Sequence, residues 1–364
     1  MNQNEFWMKR ALAFAEKARG KTSPNPLVGA LVVRNGKVVG QGFHPFFGGP
    51  HAEIVALAKA GQRARGATLY VTLEPCSNWG KTPPCVDAVI ASGVKKVVIG
   101  TFDPNPQNHR AGLLKLKKAG LAVQVGILAK EVEEQNPAFF KAMRTGFPFV
   151  TLKMAQSLDG KIATRTGRSR WISSGPAREF VHELRSQADA VLVGKNTALI
   201  DNPKLQGMNG RVGKPWRIVL DPHLEMSPKA RIFEGPQLTF LAVSEKKLRK
   251  VSSQLKIFRR TLLPVPERRG RLDLKLLLKK LVSLGVHHLL AEGGGELAWS
   301  LLRGGFVDRL IWITAPKIVG GRSAKTSVEG EGVENPEKAI PLQWEKVYRL
   351  GPDWVFEARC LRAS

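Results

Sequence analysis

The chain has 364 residues, 43% hydrophobic and 24% charged. That length exceeds one ordinary domain, and the composition excludes a disordered chain or a fibre. Lys and Arg number 57 against 30 Asp and Glu, a formal net charge of +27; this admits nucleic acid, anionic membrane or phosphorylated small molecules as partners without choosing among them.

The first residues read as a helix with Phe6, Ala13, Phe14 and Ala18 on one face. Glu5, Lys9, Arg10, Glu16 and Lys17 interrupt the apolar pattern, so the segment is no signal peptide and a cytoplasmic protein is expected. Three Cys cannot build a disulfide framework, which points to a reducing compartment. No stretch approaches the length of a membrane span. Residues 27–33 predict a strand, Asn35-Gly36 a hairpin turn, and 37–42 its partner. A helix over 52–60, a strand over 67–73, a helix over 86–92 and a strand over 94–100 follow. A helix over 113–119 and a strand over 122–126 come next, with Gly or Pro at nearly every junction. One helical piece spans 130–144. A new strand opens at Phe147-Pro148 and covers 149–154, so the boundary is placed at Gly146, giving domains 1–146 and 147–364. The second part alternates again, with strands over 190–193, 217–221, 237–243, 286–291 and 307–314. Its helices are expected over 272–284 and 297–302, and 205–215 reads as a loop. Both parts are α/β.

His51-Ala52-Glu53 starts a predicted helix, Glu74-Pro75-Cys76 ends a strand, and Cys85 follows eight residues later. Each element alone is unremarked in most proteins: a lone His is usually a satisfied surface or core residue, and spaced Cys are usually small apolar residues. Together they are a ligand set that zinc favours, with a fourth position left for water. The metal brings the pKa of that water toward neutrality. A carboxylate two residues from the His can carry protons without binding the metal, as in zinc deaminases with H-x-E and P-C-x-x-C signatures. The longer spacing between the two Cys departs from the short form that nucleic-acid deaminases favour.

Asn25-Pro26-Leu27-Val28-Gly29, His51-Ala52-Glu53, the run TLEPCSNWGKTPPC over 72–85 and Asp103-Pro104-Asn105-Pro106 resemble the deaminase half of the bifunctional riboflavin-biosynthesis deaminase/reductases. The resemblance implies a three-layer α/β/α, cytidine-deaminase-like domain. Its substrate would be 2,5-diamino-6-ribosylamino-4(3H)-pyrimidinone 5′-phosphate, deaminated by hydrolysis. His51, Cys76 and Cys85 would hold one zinc per chain, and Glu53 would shuttle protons. Asn25, His44, Lys81, Asp103 and Asn105 would line the substrate pocket. Two departures bear on substrate grip. Asn78 stands where the family usually has His, and Asn108-His109-Arg110-Ala111-Gly112 replaces the usual V-A-G-R-G, with Arg110 one position from the usual Arg.

The second part has no G-x-G-x-x-G. It has a strand ending at Glu292, then Gly293-Gly294-Gly295 opening a helix, whose free N–H groups suit a diphosphate. A structural turn explains three glycines equally well. The context is the run Thr151 to Ala163 (TLKMAQSLDGKIA), then Trp171-Ile172-Ser173, Leu184-Arg185, Gly194-Lys195-Asn196-Thr197 and Asp201-Asn202-Pro203. These resemble the reductase half of the same family, whose fold is like dihydrofolate reductase. That half transfers hydride from NADPH to the ribosyl group of 5-amino-6-(5-phosphoribosylamino)uracil, opening it to ribityl. The resemblance implies that Lys153, Ser169, Arg185 and Glu292 hold substrate, with Lys153 and Glu292 polarising the ring oxygen and trading a proton. It implies that Ala155, Trp171, Thr197, Asp201, Leu205, Gly294, Gly295, Glu296, Leu297, Ala298, Trp299 and Ser300 contact NADPH. Met208 stands where the family often has Arg, with Arg211 nearby.

Lys and Arg exceed Asp and Glu by 11 in residues 1–146 and by 16 in 147–364. The densest strip, 246–280, holds 13 basic and 2 acidic residues and none of the site residues. Its Leu-Lys alternation reads as a solvated amphipathic helix, and its single aromatic, Phe258, argues against base stacking. The resemblance implies phosphorylated pyrimidines and further copies of this chain as partners, and no specific nucleic acid and no membrane are expected. A tRNA-type nucleic-acid deaminase carrying a basic accessory domain is the competing reading, and a chain with one inactive half is a third.

Overall fold

A computed structural model describes residues 2–80, 82–208, 215–250 and 262–361. The chain divides into two compact units, Met1–Phe147 and Pro148–Ser364.

In the first unit, α1 (Gln3–Ala15) starts at a capping box, in which the Asn2 side chain accepts from Glu5 N at 2.9 Å and the Glu5 carboxylate accepts from Asn2 N at 3.2 Å. The helix buries Trp7, Met8, Ala11 and Ala15, while Phe6 and Ala13 face solvent. The face expected from sequence is thus rotated. Its cause is close packing: Ala11 and Ala15 let the helix approach β1 (Gly29–Arg34) so tightly that a Cβ on Gly29 would lie 2.0 Å from Ala11 O. The turn to β2 (Lys37–Phe43) is the expected Asn35-Gly36, with φ of 49° and 71° at the two positions.

The remaining elements are α2 (Ala52–Ala60), β3 (Thr68–Leu73), α3 (Cys85–Ala91), β4 (Lys96–Thr101), α4 (Ala111–Lys118), β5 (Ala122–Val125), α5 (Ala129–Gln135) and α6 (Pro137–Thr145). The expected single helix over 130–144 is two helices. Pro137 lacks the N–H that a continuous helix needs, and the Asn136 side chain turns away to bond Leu27 N at 2.7 Å and Leu27 O at 3.1 Å. The sheet order is β2-β1-β3-β4-β5, antiparallel around β1 and parallel from β3 to β5. Strand alternation splits the core in two. Ala30, Val32, Val97 and Ile99 pack with α2 and α3, and Leu31, Val33 and Val98 pack with Trp7 and Met8 of α1. The result is a three-layer α/β/α unit.

The second unit opens with β6 (Phe149–Ser157), α7 (Gly175–Gln187), β7 (Ala190–Gly194) and α8 (Lys195–Asp201). It continues through β8 (Trp216–Leu220), β9 (Thr239–Ser244), α9 (Glu245–Lys250), β10 (Leu262–Val265), β11 (Glu267–Arg268) and β12 (Arg271–Leu272). It closes with α10 (Leu274–Ser283), β13 (His288–Glu292), α11 (Gly295–Arg303), β14 (Arg309–Ala315), β15 (Leu342–Leu350) and β16 (Asp353–Cys360). Nine strands form one sheet in the order β10-β9-β8-β7-β13-β6-β14-β16-β15. It is parallel up to β14 and antiparallel in the last two strands. Ala177, Val181 and Leu184 of α7 seal one face against Val191, Val219, Leu241 and Ile311. As expected, α10 is amphipathic: Leu277, Leu278 and Leu281 are buried and Lys275, Lys279 and Lys280 face outward. Part of the basic strip, 251–261, lies outside the described residues.

Candidate active sites

In the first unit the ends of three elements meet. His51 is the residue before α2, Glu53 lies in its first turn, Cys76 follows β3, and Cys85 is the first residue of α3. His51 Nδ1 is 3.1 Å from Cys85 Sγ and 3.5 Å from Cys76 Sγ, and the three donor atoms all lie within 4.8 Å of one another. Tetrahedral zinc with these ligands needs donor atoms about 3.5–3.8 Å apart; the donor set fits that metal in kind, with the His51–Cys76 distance in that range and the His51–Cys85 distance shorter. The Cys76 thiol is pulled down to about 4, first by the hydrogen bond from Cys85, while that same bond and burial push Cys85 up. His51 is raised, chiefly by its hydrogen bond with Cys76.

Glu53 is buried, and burial pushes its carboxyl up to about 7. His44, also buried, stacks edge-on to His51 with ring centroids 5.3 Å apart. Its Nδ1 lies 3.0 Å from Pro50 O, which can only accept, so Nε2 accepts from Asn25 Nδ2 at 3.1 Å. Burial lowers the His44 pKa and keeps that neutral tautomer. Asp103 is buried; its carboxylate accepts from Asn105 N at 2.9 Å and from Asn108 Nδ2 at 3.0 Å. Asn78, one of the two departures, donates to Gln107 O at 2.5 Å. Arg110 is exposed, with its guanidinium 5.2 Å from the Phe102 ring centroid. Lys81 lies outside the described residues. Sequence reasoning passed over Glu74, a buried carboxylate that accepts three backbone N–H groups. Its position inside the TLEPC run was the available signal.

The second unit holds a cavity of about 1180 Å³. Lys153, Ala155, Ser169, Trp171, Arg185, Thr197, Asp201, Leu205, Glu292, Gly294, Gly295, Glu296, Leu297 and Ser300 line it. Ala298 and Trp299 are not among its lining residues: both are buried, and Trp299 lies so close to Gly330 that a Cβ there would meet it at 2.1 Å. Lys153 and Glu292 are cross-strand neighbours on β6 and β13, 3.2 Å apart. Arg185 grips the same carboxylate with two bonds of 2.7 and 2.9 Å. Burial opposes charge at Glu292, but Arg185 and Lys153 outweigh it and hold the carboxyl at about 2. The two cations thus favour the charged form of Glu292.

Ser169 donates to Asp201 at 2.6 Å, joining a residue expected at the substrate to one expected at the dinucleotide. Trp171, 65% exposed, carries the Arg178 guanidinium 4.4 Å from its ring centroid. Gly293 and Gly294 have φ of 71° and 67°, and a Cβ on Gly293 would lie 2.8 Å from Thr197. That tight turn aims the start of α11 into the cavity. Nine Lys and Arg line the cavity against four Asp and Glu. Its size exceeds the roughly 300–1,000 Å³ of an ordinary ligand pocket. Volume, excess positive charge and glycine-framed helix start together fit a dinucleotide beside a second phosphorylated molecule. Met208 N donates to Ser186 Oγ at 2.7 Å, and Arg211 lies outside the described residues. Among the described residues no helix is long and apolar enough to cross a membrane.

Known proteins with this arrangement are similar along nearly the whole chain. Residues 1–101 match the cytidine and deoxycytidylate deaminase zinc-binding region, and residues 148–356 match the RibD C-terminal domain. The riboflavin biosynthesis protein RibD of Aquifex aeolicus is 44% identical over 96% of both chains. The solved RibD of Acinetobacter baumannii superposes with a TM-score of 0.89 at 33% identity, covering 99% of each chain. A solved diaminohydroxyphosphoribosylaminopyrimidine deaminase/5-amino-6-(5-phosphoribosylamino)uracil reductase from Thermotoga maritima superposes at 0.84 with 35% identity, covering 98% of this chain and 99% of that one. The reductase match over the second unit disfavours a nucleic-acid deaminase with a basic accessory domain.

Proposed function

The chain belongs to the RibD family of bifunctional riboflavin-biosynthesis deaminase/reductases, and on that premise we propose how its own residues divide the two reactions. It is a hydrolase and an oxidoreductase in one chain, with a cytidine-deaminase-like first half and a dihydrofolate-reductase-like second half.

The first domain, 1–146, removes an amino group from the diaminopyrimidine ribosyl phosphate. His51, Cys76 and Cys85 hold one zinc per chain, which when bound supplies a water acidified to near neutrality. Glu53 takes a proton from the water that adds to the amino-bearing ring carbon and passes one to the amino group, which leaves as ammonia. Asn25, Asp103 and Asn105 hold the pyrimidine and its ribosyl phosphate. His44 fixes the Asn25 amide through the bond it accepts at 3.1 Å. Lys81 completes the phosphate grip.

The second domain, 147–364, reduces the ribosyl group. NADPH supplies the hydride. The glycine turn and the start of α11 would hold its diphosphate, and Ala155, Thr197, Asp201 and Leu205 would contact the rest of it. Trp171, exposed beside the cavity, would contact it as well. Lys153 gives a proton to the ring oxygen as the sugar opens, and Glu292, pinned by Arg185, aims the Lys153 ammonium and stays charged. Three free cysteines suit a reducing, cytoplasmic setting. Copies of the chain associate as a homo-oligomer, a reading supported by edge strand β15, which leaves Trp344 and Val347 exposed.

The observation that carries the proposal is the meeting of three soft donors within 4.8 Å beside a buried carboxylate, with a separate Lys-Glu-Arg cluster in the second unit. The deciding experiment supplies the diaminopyrimidine phosphate with and without NADPH. Ammonia release in both arms, with NADPH oxidised only after deamination, is expected. Oxidation of NADPH by the undeaminated substrate would overturn the proposed order.

A further inference from the structure

We infer that Glu74 is a positioning residue of the deaminase half: its buried carboxylate ties the turn bearing Cys76 to the loop bearing Asp103 and Asn105, and so sets the grip on the pyrimidine nucleotide. The inference rests on the deaminase reading above. Glu74 follows β3 directly and is 3% exposed. Its Oε2 accepts from Asp103 N at 3.3 Å and Arg110 N at 3.0 Å, and its Oε1 accepts from Leu113 N at 3.0 Å. All three donors belong to one stretch, so a single side chain closes the loop by holding both of its ends. Arg110 and Leu113 also lie at the start of α4, where unpaired N–H groups favour an anion.

Packing fixes the same contact. A Cβ on Gly112 would lie 2.2 Å from Pro75 O, so α4 begins directly on the turn between Glu74 and Cys76. Within the loop, Asn108 Nδ2 holds the second Asp103 oxygen at 3.0 Å. Asn78 Nδ2 bonds Gln107 O at 2.5 Å and fastens the segment between the two Cys to the same loop. Both departures from the family pattern, Asn78 and Asn108, thus serve the element that Glu74 anchors. Glutamine has the shape of glutamate but only one accepting oxygen; its NH₂ would face a backbone N–H, donor against donor.

The test uses the full chain loaded with zinc. In Glu74→Gln, the KM for ammonia release from the diaminopyrimidine phosphate is expected to rise about tenfold with kcat changed less than about threefold, the size of one lost charged hydrogen bond. Zinc content and NADPH oxidation with the deaminated substrate stay at wild-type levels. Asn108→Ala, which leaves Glu74 in place, is expected to show the same KM-selective loss. The double variant should lose less than the product of the singles, because both act through one loop. A wild-type KM in Glu74→Gln, loss of its zinc, or a fall in kcat at constant KM would overturn the inference. If Glu74→Gln does not fold, a wild-type KM in Asn108→Ala overturns it. No ammonia from the unmodified chain would overturn the deaminase reading, and this inference with it.

Discussion

Replacing Glu292 by Gln removes the anion that two cations share. Its carboxylate accepts from Arg185 at 2.7 and 2.9 Å and lies 3.2 Å from Lys153 Nζ. Burial raises its pKa, yet the two cations bring it from 4.5 to about 2. A depression of that size corresponds to roughly 3 kcal/mol, and stranding the partners of a buried ion pair costs about 3–5 kcal/mol. Because the folded pKa is the lower one, this stabilisation is fully present above pH 4.5 and fades as pH falls toward 2. At neutral pH, Glu292→Gln should lower the melting of the second unit by roughly 6–12 °C, at about 2–4 °C per kcal/mol for a domain of this size. Calorimetry of the full chain measures the shift. The gap between wild type and variant should narrow below pH 4.5. Ammonia release should persist while NADPH oxidation with the deaminated substrate collapses. An unshifted transition at neutral pH, or a gap of constant size down to acid pH, would refute the view of Glu292 as a clamped carboxylate.

His51→Ala should lose zinc and ammonia release together, by metal analysis and ammonia assay, while the second unit still oxidises NADPH with deaminated substrate. Glu53→Gln should keep zinc and lose turnover by about 10²–10⁴, the range of a proton shuttle; normal turnover would place the shuttle elsewhere. Gly29→Ala would set a Cβ 2.0 Å from Ala11 O, and urea unfolding should show a loss of about 1–3 kcal/mol or more as α1 is pushed off the sheet.

Patterns short in sequence were legible. Asn35-Gly36 announced its hairpin because only a few residues accept the two positive φ angles the turn requires. The clustering of His51, Cys76 and Cys85 was legible because metal chemistry restricts residue type more than packing does. What escaped depended on partners distant in the chain. The buried face of α1 was set by how closely Ala11 can approach Gly29, which no helical periodicity reports. Strand β15 escaped because it is exposed along nearly its whole length, so no alternation of buried and exposed residues marks it. Ala298 and Trp299 belonged to a matching run, but both are buried and neither lines the cavity. Glu74 was read as a neighbour of Cys76, whereas its partners lie between 29 and 39 residues away.

The two halves hold buried glutamates whose pKa values move in opposite directions, and their surroundings decide which. Glu53 has His51 as its nearby positive group, so burial prevails and the carboxyl rises to about 7. A dication on the neighbouring ligands would draw it back toward the charged form, so gaining and losing a proton both lie within reach near neutral pH. Glu292 is as deeply buried, but two cations overrule burial and keep it charged throughout the same range. Hydrolysis of an amino group moves protons at each stage and needs a carboxyl that can change state. Hydride transfer needs alignment, and a carboxylate that never changes state is the better fixed point for the ammonium of Lys153. An Arg185→Met variant would test the distinction, because it removes one of the two cations that keep Glu292 charged. If Glu292 serves only as an anchor, the variant should weaken NADPH oxidation without creating a new ionisation near neutral pH in its pH profile. A new ionisation there, abolished by adding Glu292→Gln, would make Glu292 a proton carrier after all.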